Sequence, residues 1–294
     1  MKKAIGLFFA VGLLGGVIYF FSENASQVQE TADSFVKPEL ELATIQIKSI
    51  EDEVITLQLS ALMHNKMPVS YGVDTLQYSV FLEGVLVAES TYPKGISVAA
   101  NDSSIINLPV SIYQDKINQV LQQVEQNRAN DSIRINMKAD LYTDLPLVPD
   151  PVELSISKLF YFVRQPQISV SNVRVVKFGF DQSEVEILIL VDNPNQFSFS
   201  FRQTDYEFRV DNERIAKGAI RKATNIVAQD STTFVIPFQV NLDEVGENVF
   251  NLLFTPKSTG YNFSLSTRID APNDVIQDAR ILISMSGKLS DLMQ

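Results

Sequence analysis

The sequence predicts an all-β-dominated protein: two tandem β-sandwiches, each with one amphipathic helix, behind an N-terminal hydrophobic segment. Three observations predict it. First, one offset of 128 positions lays the second half on the first. It places Asn193 on Asn65, Tyr206 on Tyr78, Ala216 on Ala88, Asp230 on Asp102, Ser231 on Ser103, Pro237 on Pro109 and Pro166 on Pro38. An ungapped offset over that span marks an internal duplication. Second, both halves are built of short runs that alternate apolar and polar residues, with one run of helical period late in each. Third, Ala4 to Phe21 is eighteen residues without a charge.

That apolar run would span about 27 Å as a helix, close to the hydrocarbon core of a bilayer. Lys2 and Lys3 before it, and Glu23, Glu30 and Asp33 after it, place the N-terminus on the cytoplasmic side. A cleaved signal competes with a retained anchor. The apolar run continues to Phe21 and Glu23-Asn24-Ala25 is a poor cleavage site, which favours the anchor. Residues 1–22 are therefore expected to be a single-pass anchor, 23–36 a polar stalk, 37–165 the first sandwich and 166–294 the second.

In the first unit, Ile55, Leu57, Leu59, Ala61 and Met63 alternate with Thr56, Gln58 and Ser60, which predicts a half-buried strand. An Asn65–Pro68 turn follows, then a strand with Tyr78, Val80 and Leu82 on one face and a Glu83-Gly84 hairpin signal. Ser103 to Ile112 is a further strand. Gln114 to Asn127 reads as a helix, because Ile117, Val120, Leu121 and Val124 form one apolar stripe. Ile133 to Leu141 resumes alternation, the Pro146–Pro151 loop cannot be a central strand, and Val152 to Val163 closes the unit. The second unit repeats the order, with Val185 to Val191 as its first clear strand. Its helix is expected over Leu242 to Phe254, with Val245, Val249 and Leu252 on one side. Short strands with one late helix argue a sandwich in each unit.

Composition narrows the function. Residues 37–165 carry 10 basic against 16 acidic residues and residues 166–294 carry 12 against 16, with no Lys/Arg run. That argues against nucleic-acid binding. The chain has no cysteine and one histidine, His64, at a strand end. No HExxH, GxSxG or EF-hand loop is present, and nothing selects two carboxylates among 35 as a catalytic pair. No catalytic residue, cofactor or metal site is therefore assigned, and a non-enzymatic protein is expected.

Asn193-Pro194-Asn195 ends a strand and redirects the chain, as Asn65 does in the first unit: Asn bonds its own backbone and Pro presets φ. This triplet after an apolar strand, an aromatic-rich strand, Tyr206, Ala216-Lys217-Gly218 and Ile236-Pro237-Phe238 together resemble the LEA type 2 family, also called the water stress and hypersensitive response (WHy) domain. The resemblance spans nearly all of residues 37–290. It is weaker in the first unit, which lacks the triplet's proline and has Ser90 at the position of Gly218. It implies a fibronectin-III-like sandwich in each unit, often behind a membrane segment. It further implies a role in desiccation or stress protection, lipid binding in some members, and no catalytic residues.

The two helices frame the sharpest expectation. If they pack loosely, Ile117, Val120, Leu121 and Val124, or Val245, Val249, Leu252 and Phe254, would line an apolar groove suited to an acyl chain. If they pack tightly, these side chains complete the cores. The chain is thus expected in the cytoplasmic membrane through residues 4–21, with its bulk outside the cytoplasm (periplasmic or extracellular), binding lipid or a protein partner. The alternative is an assembly protein of an envelope complex or virion that uses the sandwiches as contact surfaces, with Phe197, Phe199 and Phe201 on a contact strand if that strand is an edge.

Overall fold

The structure, a computed structural model, describes residues 37–92, 94–126, 132–143, 151–177, 179, 183–211, 213–240 and 259–292. The expected anchor, the stalk and the helix over Leu242 to Phe254 lie outside the described residues. No helix of the described residues is long and apolar enough to cross a membrane.

The first unit contains β1 (Glu39–Ile50), β2 (Val54–Asn65), β3 (Tyr71–Val73), β4 (Thr75–Leu82), β5 (Val85–Tyr92), β6 (Ile96–Val98) and β7 (Asp102–Tyr113). Helix α1 (Gln114–Gln126), β8 (Ser132–Tyr142) and β9 (Val152–Tyr161) complete it. The second unit contains β10 (Gln167–Lys177), β11 (Ser183–Asn193), β12 (Phe199–Val210), β13 (Glu213–Ile220), β14 (Thr224–Ile226), β15 (Asp230–Val240), β16 (Gly260–Asp270) and β17 (Arg280–Lys288).

Each unit is two layers over one core. In the first, β1-β2-β7 face β5-β4-β8-β9. Leu59, Ala61, Met63, Leu108 and Val110 from one layer meet Tyr78, Val80, Met137, Ala139 and Leu141 from the other. In the second, β10-β11-β15 face the layer of β13, β12, β16 and β17, around Ile187, Ile189, Val191, Ile236, Phe201, Phe208, Phe263 and Leu265. Strict alternation drives this: β2 and β11 bury every second side chain and leave those between them half exposed over nearly their whole length.

The 128-residue offset is carried into the hydrogen-bond register. β1 pairs β2 with Glu39 opposite His64, and β10 pairs β11 with Gln167 opposite Asp192. Both pairs bulge at matching places, Leu42/Thr44 with Val170/Asn172 and Ile47/Ser49 with Val175/Lys177. The β4–β5 bulge at Val80/Phe81 recurs in β12–β13 at Phe208/Arg209. Glu83 and Asp211, and Asn101 and Gln229, hold positive φ at matched positions. Bulges re-aim a strand, so their repetition means that the copies share shape as well as order.

Two places depart from the offset. Tyr78 faces Ala139, but Tyr206 faces Leu265, two residues short of Thr267, so β16 is slid against β12. The slide accompanies a bulge between Arg202 and Asp205, with Gln203 at φ 51°. A slide of two keeps the same side chains facing the core. Further on, Ile133 faces Phe160 while Tyr261 faces Gly287, so β17 runs one residue short of the offset.

The units are joined through their sheets. β1 leaves its own layer and pairs in parallel with β17, Ser49 opposite Arg280 and Ile50 opposite Ile281. This makes one continuous sheet from β13 to β7. Ile50 is 3% exposed and belongs to the second core, while Val275 packs against the first. The Ile47 N–H donates to the Val275 carbonyl at 2.7 Å, and the Ser284 N–H donates to the Asp52 carboxylate at 3.0 Å. On the other side, the backbone N–H of Arg164 donates to Asn195 Oδ1 and Asn195 Nδ2 donates back to the Arg164 carbonyl, both at 2.8 Å.

Candidate functional site

Asn65 and Asn193 occupy the same place in their units, at the ends of β2 and β11, and both are buried. Asn65 Nδ2 donates to the carbonyls of Val69, Ala99 and Val98 at 2.8, 2.9 and 3.1 Å, and its Oδ1 accepts from the Met67 N–H at 3.0 Å. Asn193 Nδ2 donates to the carbonyls of Phe197 and Val227 at 2.9 and 3.0 Å, and its Oδ1 accepts from the Asn195 N–H at 3.1 Å. Each side chain thus staples its own turn to a loop over thirty residues downstream. Next to each, Asn101 and Gln229 donate their N–H groups to Met67 and Asn195, both at 3.0 Å. Pro194 follows the second staple directly. These asparagines use their polar atoms on backbone groups.

The units differ at the tyrosine of the flank beside β5 and β13. Tyr78 is 3% exposed and donates its hydroxyl to the Pro109 carbonyl at 2.5 Å. Burial raises its pKa above the usual value, partly offset by a hydrogen bond with the Ser90 side chain. Tyr206 lies instead over Gly218, where a Cβ would sit 2.5 Å from its Oη and 2.7 Å from its Cζ. Burial raises the Tyr206 pKa as well.

Beside Tyr206 lies a cleft of about 1030 Å³ between the β11–β15 layer and β13. Val185, Tyr206, Ile215, Ala216 and Phe238 form its floor, and Glu184, Glu186, Glu213, Arg214 and Lys217 its rim. Of the floor, Val185, Ile215, Ala216 and Phe238 are each less than one-tenth exposed. In the first unit α1 packs against the matching strands, β5 and β7. There Val120 is 2% exposed, Ile117 and Val124 pack half-buried on the core, and Leu121 is half-buried. Val245, Val249, Leu252 and Phe254 lie outside the described residues.

A smaller cleft of about 570 Å³ separates the Glu51–Val54 hairpin from the outer face of β12, β16 and β17. Its lining includes Glu51, Glu53, Asp205 and Glu207 beside Lys217. The Arg209 hydrogen bond holds Glu207 below the usual carboxylate pKa. Among the described residues no group of three or more His, Asp or Glu is placed to hold a metal ion. His64 Nδ1 meets Ser103 Oγ at 2.7 Å on the surface, and the matched pair in the second unit is Ser231 Oγ with Asp192 at 3.3 Å.

One expectation needs correction. Phe199 and Phe201 are 2% and 0% exposed, and β12 has partners on both sides, β14 or β13 on one and β16 on the other. The aromatic strand is therefore interior. β14 is three residues long, too short to be read from periodicity, and it covers the edge.

Two layered β units with matched asparagine staples define a tandem all-β protein. The chain belongs to the late embryogenesis abundant protein family (LEA type 2), which matches it twice, at residues 62–155 and 188–287. An uncharacterised protein of Methanocaldococcus jannaschii is 23% identical over 127 residues, covering 40% of this chain and 71% of the relative. Among solved structures, one from Archaeoglobus fulgidus is 12% identical with a TM-score of 0.34, covering 43% of this chain and all of the other. One from Arabidopsis thaliana is 16% identical with a TM-score of 0.37, covering 43% and 82%.

Proposed function

We propose that this is a membrane-anchored, non-enzymatic LEA type 2 protein whose second unit binds an amphiphilic ligand in the Tyr206 cleft. Its two fibronectin-III-like units stand outside the cytoplasmic membrane on the segment Ala4 to Phe21, in the service of stress protection. The observation that carries the binding role is the cleft itself. Its surface is mostly the charged rim of Glu184, Glu186, Glu213, Arg214 and Lys217, with Tyr206 and Val176 among the apolar side chains that stay partly exposed. That makes a narrow apolar strip inside a polar collar, which holds an apolar body by one side and fixes a polar end. An acyl lipid fits that description. Family membership and the charge pattern around the apolar segment support the rest.

The test is titration of the full chain, in mild detergent, with a fluorescent fatty acid, alongside mass spectrometry of co-purified lipid. Ala216→Phe should weaken binding at least tenfold by filling the floor, and Ala88→Phe at the matched position of the first unit should leave it unchanged. Equal loss in both variants, or no binding to the parent chain, contradicts the reading.

A further inference from the structure

We infer that this chain associates head to tail with further copies of itself, by repeating between molecules the joint it already makes between its own units. The inference does not require a lipid ligand, although Val176 at this edge also lines the Tyr206 cleft. It rests on an asymmetry in a duplicated structure. Among the described residues β1 has strand partners on both edges, β2 and β17, whereas its counterpart β10 pairs with β11 alone, and the Val173 N–H, earlier in the strand, donates to the Leu292 carbonyl. β17 is covered at its start by β1, whereas its counterpart β9 pairs only with β8 among the described residues. Further along β9, Lys158 Nζ donates to the Leu42 and Ala43 carbonyls of β1, so the strand's start is the part left without a second strand partner. Each half of the internal joint therefore exists a second time with no strand mate among the described residues: the end of β10 on the second unit, and the start of β9 on the first.

The exposed residues fit that reading. Val175 stands at the position of Ile47, which packs against the opposite core, yet Val175 is 40% exposed and its neighbour Val176 is 54% exposed. Applying the joint's pairing to the free halves brings Lys177, the counterpart of Ser49, opposite Glu153, the counterpart of Arg280 once the one-residue shift of β17 is counted. Both are exposed, and neither makes an ion pair among the described residues. The contact thus sets a lysine beside a glutamate and removes exposed valines from water. The surfaces differ, so the contact is heterologous and does not close on a dimer. Repeated, it gives an open chain or a ring.

The sequence makes the test clean, because it contains no cysteine. Full-length Lys177→Cys and Glu153→Cys chains are purified separately, mixed and oxidised mildly. The expected result is a disulfide dimer in the mixture and none above background from either chain alone, with a ladder of higher species when both cysteines share one chain. No mixed dimer, or equal dimers from the single chains, overturns the inference. A charge swap supplies the second reading. Lys177→Glu should lower association in light scattering about tenfold, and adding Glu153→Lys to the same chain should restore it. Failure of the swap to restore association also overturns it.

Discussion

The two units keep the same backbone register but fill the flank beside β5 and β13 differently. In the first, the buried Tyr78 donates its hydroxyl to the Pro109 carbonyl. In the second, Tyr206 leans over Gly218 and, among the described residues, a cleft lies beside it. The duplicated frame is held by buried asparagines at the turns, so the flank is free to change without loss of the fold. Framework and candidate site are therefore carried by different residues, and substitution can separate them.

The largest effect should come from the shared framework. Asn65→Ala and Asn193→Ala each strip a loop of its side-chain partner and leave buried carbonyls and one buried N–H unsatisfied. Each should destabilise its unit by about 3 kcal/mol in urea unfolding. Unequal costs would break the equivalence of the two turns.

A smaller effect tests the divergence. Gly218→Ser gives the second unit the residue found at position 90 of the first. Its Cβ collides with the Tyr206 ring and should cost about 2 kcal/mol. In the Tyr206→Ala background most of that cost should vanish. If Gly218→Ser is neutral with Tyr206 in place, the ring does not rest on the glycine.

The smallest effect belongs to the first unit. Tyr78→Phe removes one hydrogen bond and should cost about 1 kcal/mol near neutral pH. Burial raises the folded pKa of Tyr78, so the fold holds the phenolic proton more tightly than the unfolded chain does. Its contribution is complete below the unfolded value near pH 10 and is lost as pH rises through the folded value. The variant should therefore lose less stability than the parent between pH 9 and about 11. A parallel decline in both would remove Tyr78 from the account.

Much of this frame was legible in the sequence, for a physical reason: a strand buried on one face must alternate. The runs from Ile55 and from Val185 therefore declared both their conformation and their inner face. The asparagines were legible as turn formers, because that chemistry is local. Their bonds to Ala99 and Val227 were not, since those partners lie 34 residues away. The slide of β16 against β12 left no trace, because an even shift leaves the alternation unchanged. The β1–β17 joint was also silent. It uses two residue pairs drawn from opposite ends of the described chain, and nothing in the period of either strand names its partner. At the flank, the apolar stripe of α1 identified its buried face. The cleft is lined by residues of β10, β11, β12, β13 and β15, a convergence that spacing along the chain cannot report.

Amide hydrogen exchange on the matched asparagine variants tests the copied frame most directly. Asn65→Ala should deprotect the amides of Met67 and Asn101 while leaving those of Asn195 and Gln229 protected. Asn193→Ala should do the reverse, to a similar degree. If only one variant releases its pair, or the released amides do not stand 128 positions apart, the two halves are not one fold written twice.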